Sequence, residues 1–325
     1  MNQEKINLRQ VRDFGETFNT SIKFIRQNFK LFMKSLVFIA GPFLLISSIA
    51  GAFYQASAIT MQSRLQSGIA YGNNPLDVIL EQFGWTYLIF IIASILANLA
   101  LVGTVYSYMI NYSEKGPGQF TINDVANTLT KNIGGILGVF FGLTILLIII
   151  IGLIVGVGVA IGLAVPGLGV LFLIAAFFGM LILFPPLIWQ LSVVYLVKME
   201  ENTGIFESYN KTKEVMRGEF WWTWLIVVCS SFGIGLIGMV FSIPQIAYQM
   251  VLTFSSLQGG ENETSIPFIA VATVCTFCTT LLYGFMYIIN GVHYYSLAEK
   301  NDGKGMMERI NEIGATPNTN VNQQY

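Results

Sequence analysis

One long run of the sequence, residues 132–197, contains no Asp, Glu, Lys or Arg. A membrane-spanning helix needs about 20 apolar residues to cross a hydrocarbon core about 30 Å thick. The run is therefore too long for one span and long enough for two. Four other stretches also lack these four residue types: 35–63, 82–113, 220–260 and 264–298. We predict an all-α fold, a polytopic transmembrane helix bundle.

The composition agrees with lipid as the main solvent. Charged residues make up 11% of the chain and hydrophobic residues 54%, whereas an average soluble domain is about 25% charged. A water-soluble domain with so few charges could not cover its own surface. No stretch of ordinary composition is long enough for a separate soluble catalytic domain. We expect membrane lipids as partners and no nucleic acid.

Six spans are predicted within a membrane domain at 33–297. Pro166 and Gly167 interrupt the long uncharged run and separate the third span from the fourth. An N-terminal segment, 1–32, precedes the membrane domain, and a polar, partly disordered tail, 298–325, follows it. The predicted spans are about 33–54, 85–110, 134–162, 169–197, 221–252 and 267–295.

The positions of the basic residues predict the orientation. Of the 17 Lys and Arg residues, all but Arg64 fall on one side of this six-span layout. Cytoplasmic loops carry the excess of Lys and Arg in membrane proteins. We therefore expect both termini in the cytoplasm and the protein in the cytoplasmic (inner) membrane of a bacterium.

The N-terminal segment has the pattern of an interfacial amphipathic helix. Its apolar residues recur at steps of three or four and form one stripe, with basic residues off that stripe. Such a helix lies on an anionic leaflet or packs on the protein's own cytoplasmic face, and both can hold at once. The stripe consists of Phe14, Phe18, Ile22, Ile25, Phe29 and Phe32.

Three cytoplasmic segments resemble one another and suggest an internal repeat. Each ends an amphipathic stretch just before a span, so the unit would be an interfacial helix followed by two spans. Basic amphipathic segments at any cytoplasmic interface look alike, which is the alternative explanation. The segments are 22–29, 126–133 and 212–220.

Two parts of the sequence carry a family resemblance. They are Arg12-Asp-Phe-Gly15 with Phe24-Ile-Arg-Gln-Asn-Phe29, and Tyr195-Leu-Val-Lys-Met-Glu-Glu-Asn-Thr-Gly204 with Ser208 and Met216-Arg-Gly-Glu-Phe-Trp-Trp-Thr-Trp224. Together they resemble bacterial six-span proteins related to the glycerophosphoryl diester phosphodiesterase membrane domain and its uncharacterised relatives.

That resemblance implies an architecture and transfers no catalytic residues. In the family, a cytoplasmic acidic residue, a Gly and a Ser precede a Gly-aromatic entry into the fifth span. The chain lacks the phosphodiesterase catalytic domain, whose His and Glu pairs have no counterpart in a sequence with one His. The matching positions here are Glu200 or Glu201, Gly204, Ser208, Gly218 and Trp221.

Several polar and kink-forming residues lie within the predicted spans. Prolines remove backbone donors and kink helices, and interrupted helices near the midplane are typical of transport sites. Gln and Asn in hydrocarbon need partners, so they line a polar cavity or, in the interpretation we prefer, form hydrogen bonds between helices. The residues are Asn98, Pro185, Pro186, Trp189, Gln190, Pro244, Gln245 and Asn290.

Glycines in the third span repeat at intervals of four. Small residues at this spacing let helices approach closely. The contact is either internal or a docking face for a protein partner or a second copy of the chain. The residues are Gly134, Gly138, Gly142, Gly152 and Gly156.

We expect no catalytic, metal or cofactor site. Cys275 and Cys278 have a metal-ligand spacing but lie in an apolar helix without further ligands. His293 is predicted to lie at the cytoplasmic interface, and no set of residues forms a nucleophile or an acid–base pair.

The predicted function is that of a structural or accessory subunit of a membrane complex. The alternative is a transporter or lipid-handling protein for neutral or amphipathic molecules.

Overall fold

The computed structural model describes residues 5–66, 75–257, 266–303 and 307. Apart from Met307, the predicted tail beyond residue 303 lies outside the described residues. The described residues form helices and short connections with no strand, which confirms the all-α prediction. Its helices are α1 (Phe14–Ser35), α2 (Gly41–Gln66), α3 (Pro75–Lys115), α4 (Ile122–Ala164), α5 (Pro166–Glu201), α6 (Ile205–Met216), α7 (Phe220–Leu257) and α8 (Ile266–Asp302).

Six helical segments are long and apolar enough to cross a membrane, as the sequence predicts. Each extends beyond the predicted span at one or both ends. The turn between α4 and α5 is a single extended residue, Val165, followed by Pro166 at the start of α5. Proline suits this position because the first helical residue needs no backbone donor. The segments are Phe14–Ile59, Gly84–Lys115, Ile122–Ala164, Gly167–Glu201, Phe220–Ser255 and Ile266–Asp302.

The amphipathic helix α1 runs directly into the first span. A short π-helical segment, Leu36–Ala40, joins α1 to α2 without a loop. One face of α1 packs on the bundle, while Ile22 and Phe29 of the predicted apolar stripe remain exposed. The helix therefore packs on its own protein and still presents apolar side chains outward. The buried residues are Thr17, Ser21, Phe24, Asn28, Phe32 and Ser35.

The chain is organised as three helical hairpins, each preceded by a polar helical segment. The most extensive helix contacts join α2 to α3, α4 to α5 and α7 to α8. The preceding segments are α1, the first turns of α4, and α6. In each, an acidic side chain accepts a hydrogen bond from the backbone N–H three residues earlier. The pairs are Glu16 with Asp13 at 3.2 Å, Asp124 with Thr121 at 2.7 Å, and Glu207 with Gly204 at 3.4 Å.

The packed core lies toward one end of the bundle, which we call the charged end. Here the N-terminal segment, α6 and the charged termini of α3, α5, α7 and α8 meet. The large buried side chains near this end include Tyr108, Tyr112, Trp189, Tyr294 and Tyr295. Aromatic side chains supply much buried surface and pack in edge-to-face pairs. This packing positions the polar groups described next.

Candidate functional site

A buried polar cluster lies where α5, α7 and α8 meet. The Trp189 indole Nε1 donates to the backbone carbonyl of Asn290 at 3.3 Å, and Asn290 Nδ2 donates to Ser192 Oγ at 3.3 Å. His293 Nε2 is 3.0 Å from Thr223 Oγ1. The rings of Trp189 and His293 meet edge-on, with centroids 5.3 Å apart. These five residues are the polar cluster, and all are buried.

Two buried polar atoms in the cluster and next to it in sequence make no hydrogen bond among the described residues. They are Asn290 Oδ1 and Gln190 Nε2. Tyr106 of α3 also lies beside the cluster, and its hydroxyl faces Ser192. Leaving a buried donor or acceptor unpaired costs about 1–3 kcal/mol. Such groups usually have a bound water or another molecule as their partner.

The structure distributes the predicted polar residues among separate helix pairs. Trp189 and Asn290 meet directly, and Gln190 is buried next to Trp189 in sequence. Asn98 instead donates to the Tyr287 hydroxyl at 3.2 Å, between α3 and α8. Gln245 donates to Gln55 at 2.5 Å, between α7 and α2. These contacts are hydrogen bonds between helices, the interpretation preferred from the sequence.

The prolines do not interrupt their helices. Helix α5 continues through Pro185 and Pro186, and α7 continues through Pro244. Pro185 lines an apolar groove of about 560 Å³ between α5 and α7, which also includes Phe232 and Met239. Of the eight predicted residues, only Pro185 lines this groove.

The predicted glycines occupy two different environments. Gly138 and Gly142 of α4 face Ile205 of α6, so their contact is internal. A side chain added at Gly134, Gly152 or Gly156 would meet nothing within 4 Å. These three glycines lie on an open face of the helix.

An N-terminal strap, residues 5–12, ties the helix ends together at the charged end. Lys5 Nζ donates to the carbonyl of Ser113 at 2.7 Å, and the Ile6 N–H donates to the Tyr112 hydroxyl at 2.9 Å. At the other end of the strap, the Arg12 N–H donates to Ser296 Oγ at 2.8 Å. The strap thus links the end of α3 to the end of α8.

An ion pair anchors the middle of this strap. The Arg9 guanidinium lies 2.8 Å from Glu200 and 5.5 Å from the centre of the Tyr295 ring. Burial opposes the charged form of Arg9, but the Glu200 carboxylate together with Tyr295 and Tyr294 raises the Arg9 pKa overall. Both side chains are largely covered, so the pair is screened less than an exposed one.

The residues that carry the family resemblance hold the connection between α5 and α7. Glu201 pairs with Lys211 of α6. Ser208 is fully buried and lies 2.8 Å from the Thr203 hydroxyl. Gly218 has a φ of +85°, a conformation that favours glycine, and it redirects the chain into α7. The contacts of these residues are structural.

Sequence reasoning missed several members of the site. His293 is buried in the cluster, whereas the sequence placed it at the interface. The sequence did not predict a role for Tyr106, Ser192 or Thr223, because single Tyr, Ser and Thr residues are common within membrane spans. The described residues contain no group of three or more His, Cys, Asp or Glu side chains that could hold a metal ion.

In comparisons with known proteins, no family model, no curated protein and no solved structure matches the chain.

Proposed function

We propose that the protein is a structural or accessory subunit of a complex in the cytoplasmic membrane of a bacterium. In this proposal both termini are cytoplasmic, and the charged end faces the cytoplasm. The protein is not an enzyme, and it uses no cofactor. The six-span layout is also what the resemblance to the phosphodiesterase membrane-domain family implies.

The observation that carries the proposal is the exposure of the α4–α5 hairpin. In the most apolar 18-residue stretch of α4 and in that of α5, 6% of the residues are buried. In the corresponding stretches of the first and second spans, 39% and 44% of the residues are buried. Helices in membranes associate mainly through packing and close approach at small residues. The open face with Gly152 and Gly156 offers such an approach to a partner.

The test is the mass of the complex after direct extraction into native nanodiscs. We expect a stoichiometric partner protein in addition to the 36.0 kDa chain. Gly152→Trp or Gly156→Trp should remove the partner because the bulky ring blocks close approach. The control Gly233→Trp places the same ring at another position with nothing within 4 Å and should retain it. A chain that carries no protein partner would overturn the proposal.

A second candidate function, transport or handling of small neutral molecules, is favoured by the unpaired buried atoms. Gln190 Nε2 and Asn290 Oδ1 would pair with a polar molecule within the bundle. No charged group is available along the middle of the spans, which argues against proton coupling.

Proteoliposome swelling with glycerol or urea tests this second candidate. Flux above that of protein-free vesicles should disappear in Gln190→Leu, because the substitution removes a buried donor. It should persist in Gln249→Leu, which changes an exposed glutamine of α7. Equal flux in vesicles with and without protein would contradict transport of these two probes.

A further inference from the structure

A groove of about 390 Å³ opens at the charged end, between the start of α1, the start of α7 and the end of α8. This volume is within the range of small-molecule sites. Most of the groove wall is apolar, and its apolar residues include Phe14, Trp222, Ile226 and Leu297. The buried His293 also lines it, so the groove reaches the polar cluster.

The charged residues around the groove have more negative than positive groups. Asp13, Glu16 and Glu219 contribute three carboxylates, against the two cations Arg12 and Lys300. The charged residues that line the groove therefore carry a net charge of −1.

The two cations are not equally available to a ligand. The Arg12 guanidinium donates to the Thr20 hydroxyl and to the carbonyls of Leu8 and Gln10. It is therefore engaged within the N-terminal segment. Lys300 instead pairs with Glu219, and the Lys300 side chain is 55% exposed whereas that of Glu219 is 17% exposed. Because the Lys300 side of the pair is open to water, solvent screening weakens the pair, and a ligand with both signs of charge can replace it with two matched contacts.

We propose that this groove binds a phospholipid whose headgroup ends in an ammonium group. The acyl chain lies against Trp222, Ile226 and Leu297, the phosphate pairs with Lys300, and the ammonium group pairs with Glu219 and Glu16. A soluble amine would match the carboxylates but would leave the apolar wall uncovered. The exposed Trp221 and Trp222 at the start of α7 are typical of the membrane–water interface, where such headgroups lie.

The inference goes beyond the accessory-subunit proposal, since a lipid in this groove touches neither Gly152 nor Gly156. The test is native mass spectrometry of the full-length protein titrated with phosphatidylethanolamine or phosphatidylglycerol of identical acyl chains. We expect phosphatidylethanolamine adducts to survive at about fivefold lower lipid concentration, the factor that about 1 kcal/mol of charge pairing gives.

Two variants separate the acyl-chain site from the headgroup site. Val11→Trp adds bulk at the rim, where Val11 is 50% exposed, so it should weaken binding of both lipids without unfolding the protein. Glu219→Gln should remove the preference for phosphatidylethanolamine. Glu214→Gln, which removes an exposed carboxylate of α6 outside the groove, should keep the preference.

Two outcomes would overturn the proposal. One is equal binding of the two lipids to the wild-type protein. The other is unchanged binding in Val11→Trp, with its folding verified by an unchanged melting temperature. Both measurements are independent of the mass of the complex in native nanodiscs. The absence of a protein partner would therefore contradict only the proposed function, and the absence of selective lipid binding would contradict only the proposed lipid site.

Discussion

The charged end and the membrane-embedded part of the α4–α5 hairpin are built from similar apolar residues but packed very differently. At the charged end, aromatic side chains such as Trp189 and Tyr295 are fully buried, and polar groups pair across helices. In the hairpin, Phe178 and Leu183 are exposed along much of their surface. Apolar composition thus predicts long helices in both regions, but it does not show which region contains the packed core.

The hairpin holds itself together at its tip by backbone contact. A side chain added at Gly169 would lie 2.3 Å from Gly162 Cα, and one added at Gly158 would lie 2.7 Å from Leu173 Cδ2. Such close approach between helices is typical of glycine contacts in membranes. Two regions of one chain therefore use different means of association, side-chain packing at the charged end and backbone proximity at the tip.

The largest predicted effect tests the packing difference along one helix, α5. Trp189→Ala should lower the free energy of unfolding by about 3 kcal/mol, because it leaves a cavity and removes the hydrogen bond to the Asn290 carbonyl. Phe178→Ala, in the exposed hairpin, should change it by about 0.5 kcal/mol or less. Unfolding by SDS titration in mixed micelles measures both. Equal losses of unfolding free energy in the two variants would contradict the proposed difference in packing.

A smaller effect is expected from a disturbance confined to the hairpin tip. Gly169→Val should force α4 and α5 apart, because its Cβ would overlap the backbone of Gly162. Spin labels at residues 159 and 171, in a background without native cysteines, should report a longer distance between the helices.

The matched control for this prediction is Gly179→Val, where an added Cβ meets nothing within 4 Å. It should leave the label distance unchanged. Neither variant should alter the unfolding of the charged end by more than about 0.5 kcal/mol, because the sites share no contacts with it. A large destabilisation there by Gly169→Val would show that the two regions are coupled.

The smallest predicted effect concerns the start of α4, where this helix leaves the charged end. Hydrogen bonds from Lys115 and Thr121 lower the pKa of Asp124 below its ordinary value. A carboxylate with a depressed folded-state pKa stabilises the fold above the unfolded pKa, and this contribution is lost as the pH falls through the folded value. Protection of the first turn of α4 should therefore persist at pH 4 and decline only at lower pH.

Hydrogen–deuterium exchange over residues 122–126 measures that protection. Asp124→Asn should show less protection than the wild type at neutral pH, since it loses the ion pair with Lys115. Its protection should depend less on pH, so the two proteins should converge as the wild-type carboxylate becomes protonated. Protection in the wild type that falls by half near pH 4, as for an ordinary carboxylate, would contradict the lowered pKa.

The spans were predictable because crossing a hydrocarbon core imposes a length and a composition on a helix. The uncharged run is too long for one span, so a break was expected, and Pro166 and Gly167 indicated its position. The amphipathic N-terminal helix was predictable from the period of its apolar residues. In each case the signal is local, so one stretch of sequence contains it.

The site was less predictable because it depends on how each helix is rotated against its neighbours. Polar residues within spans indicate that partners exist, but Gln245 has several helices within reach and pairs with Gln55. The spacing of four residues between glycines in α4 also did not distinguish Gly138, which faces Ile205, from Gly152, which lies on the open face. The contact between Gly162 and Gly169 spans the turn. Both glycines lie three residues from the Val165–Pro166 bond, one on each side, and that symmetric placement was the sequence signal for their contact.

The length of the α4–α5 hairpin has a mechanical consequence for the surrounding bilayer. The uncharged part of α4, residues 132–164, is about 50 Å long at a rise of about 1.5 Å per residue, whereas a whole bilayer with headgroups is about 40–45 Å thick. If all of this part is to lie in lipid, the hairpin must tilt steeply or stretch the lipid chains around it. Only 6% of the residues in the most apolar part of each hairpin helix are buried inside the protein. Little packing there resists tilting, so the angle of the hairpin should follow membrane thickness.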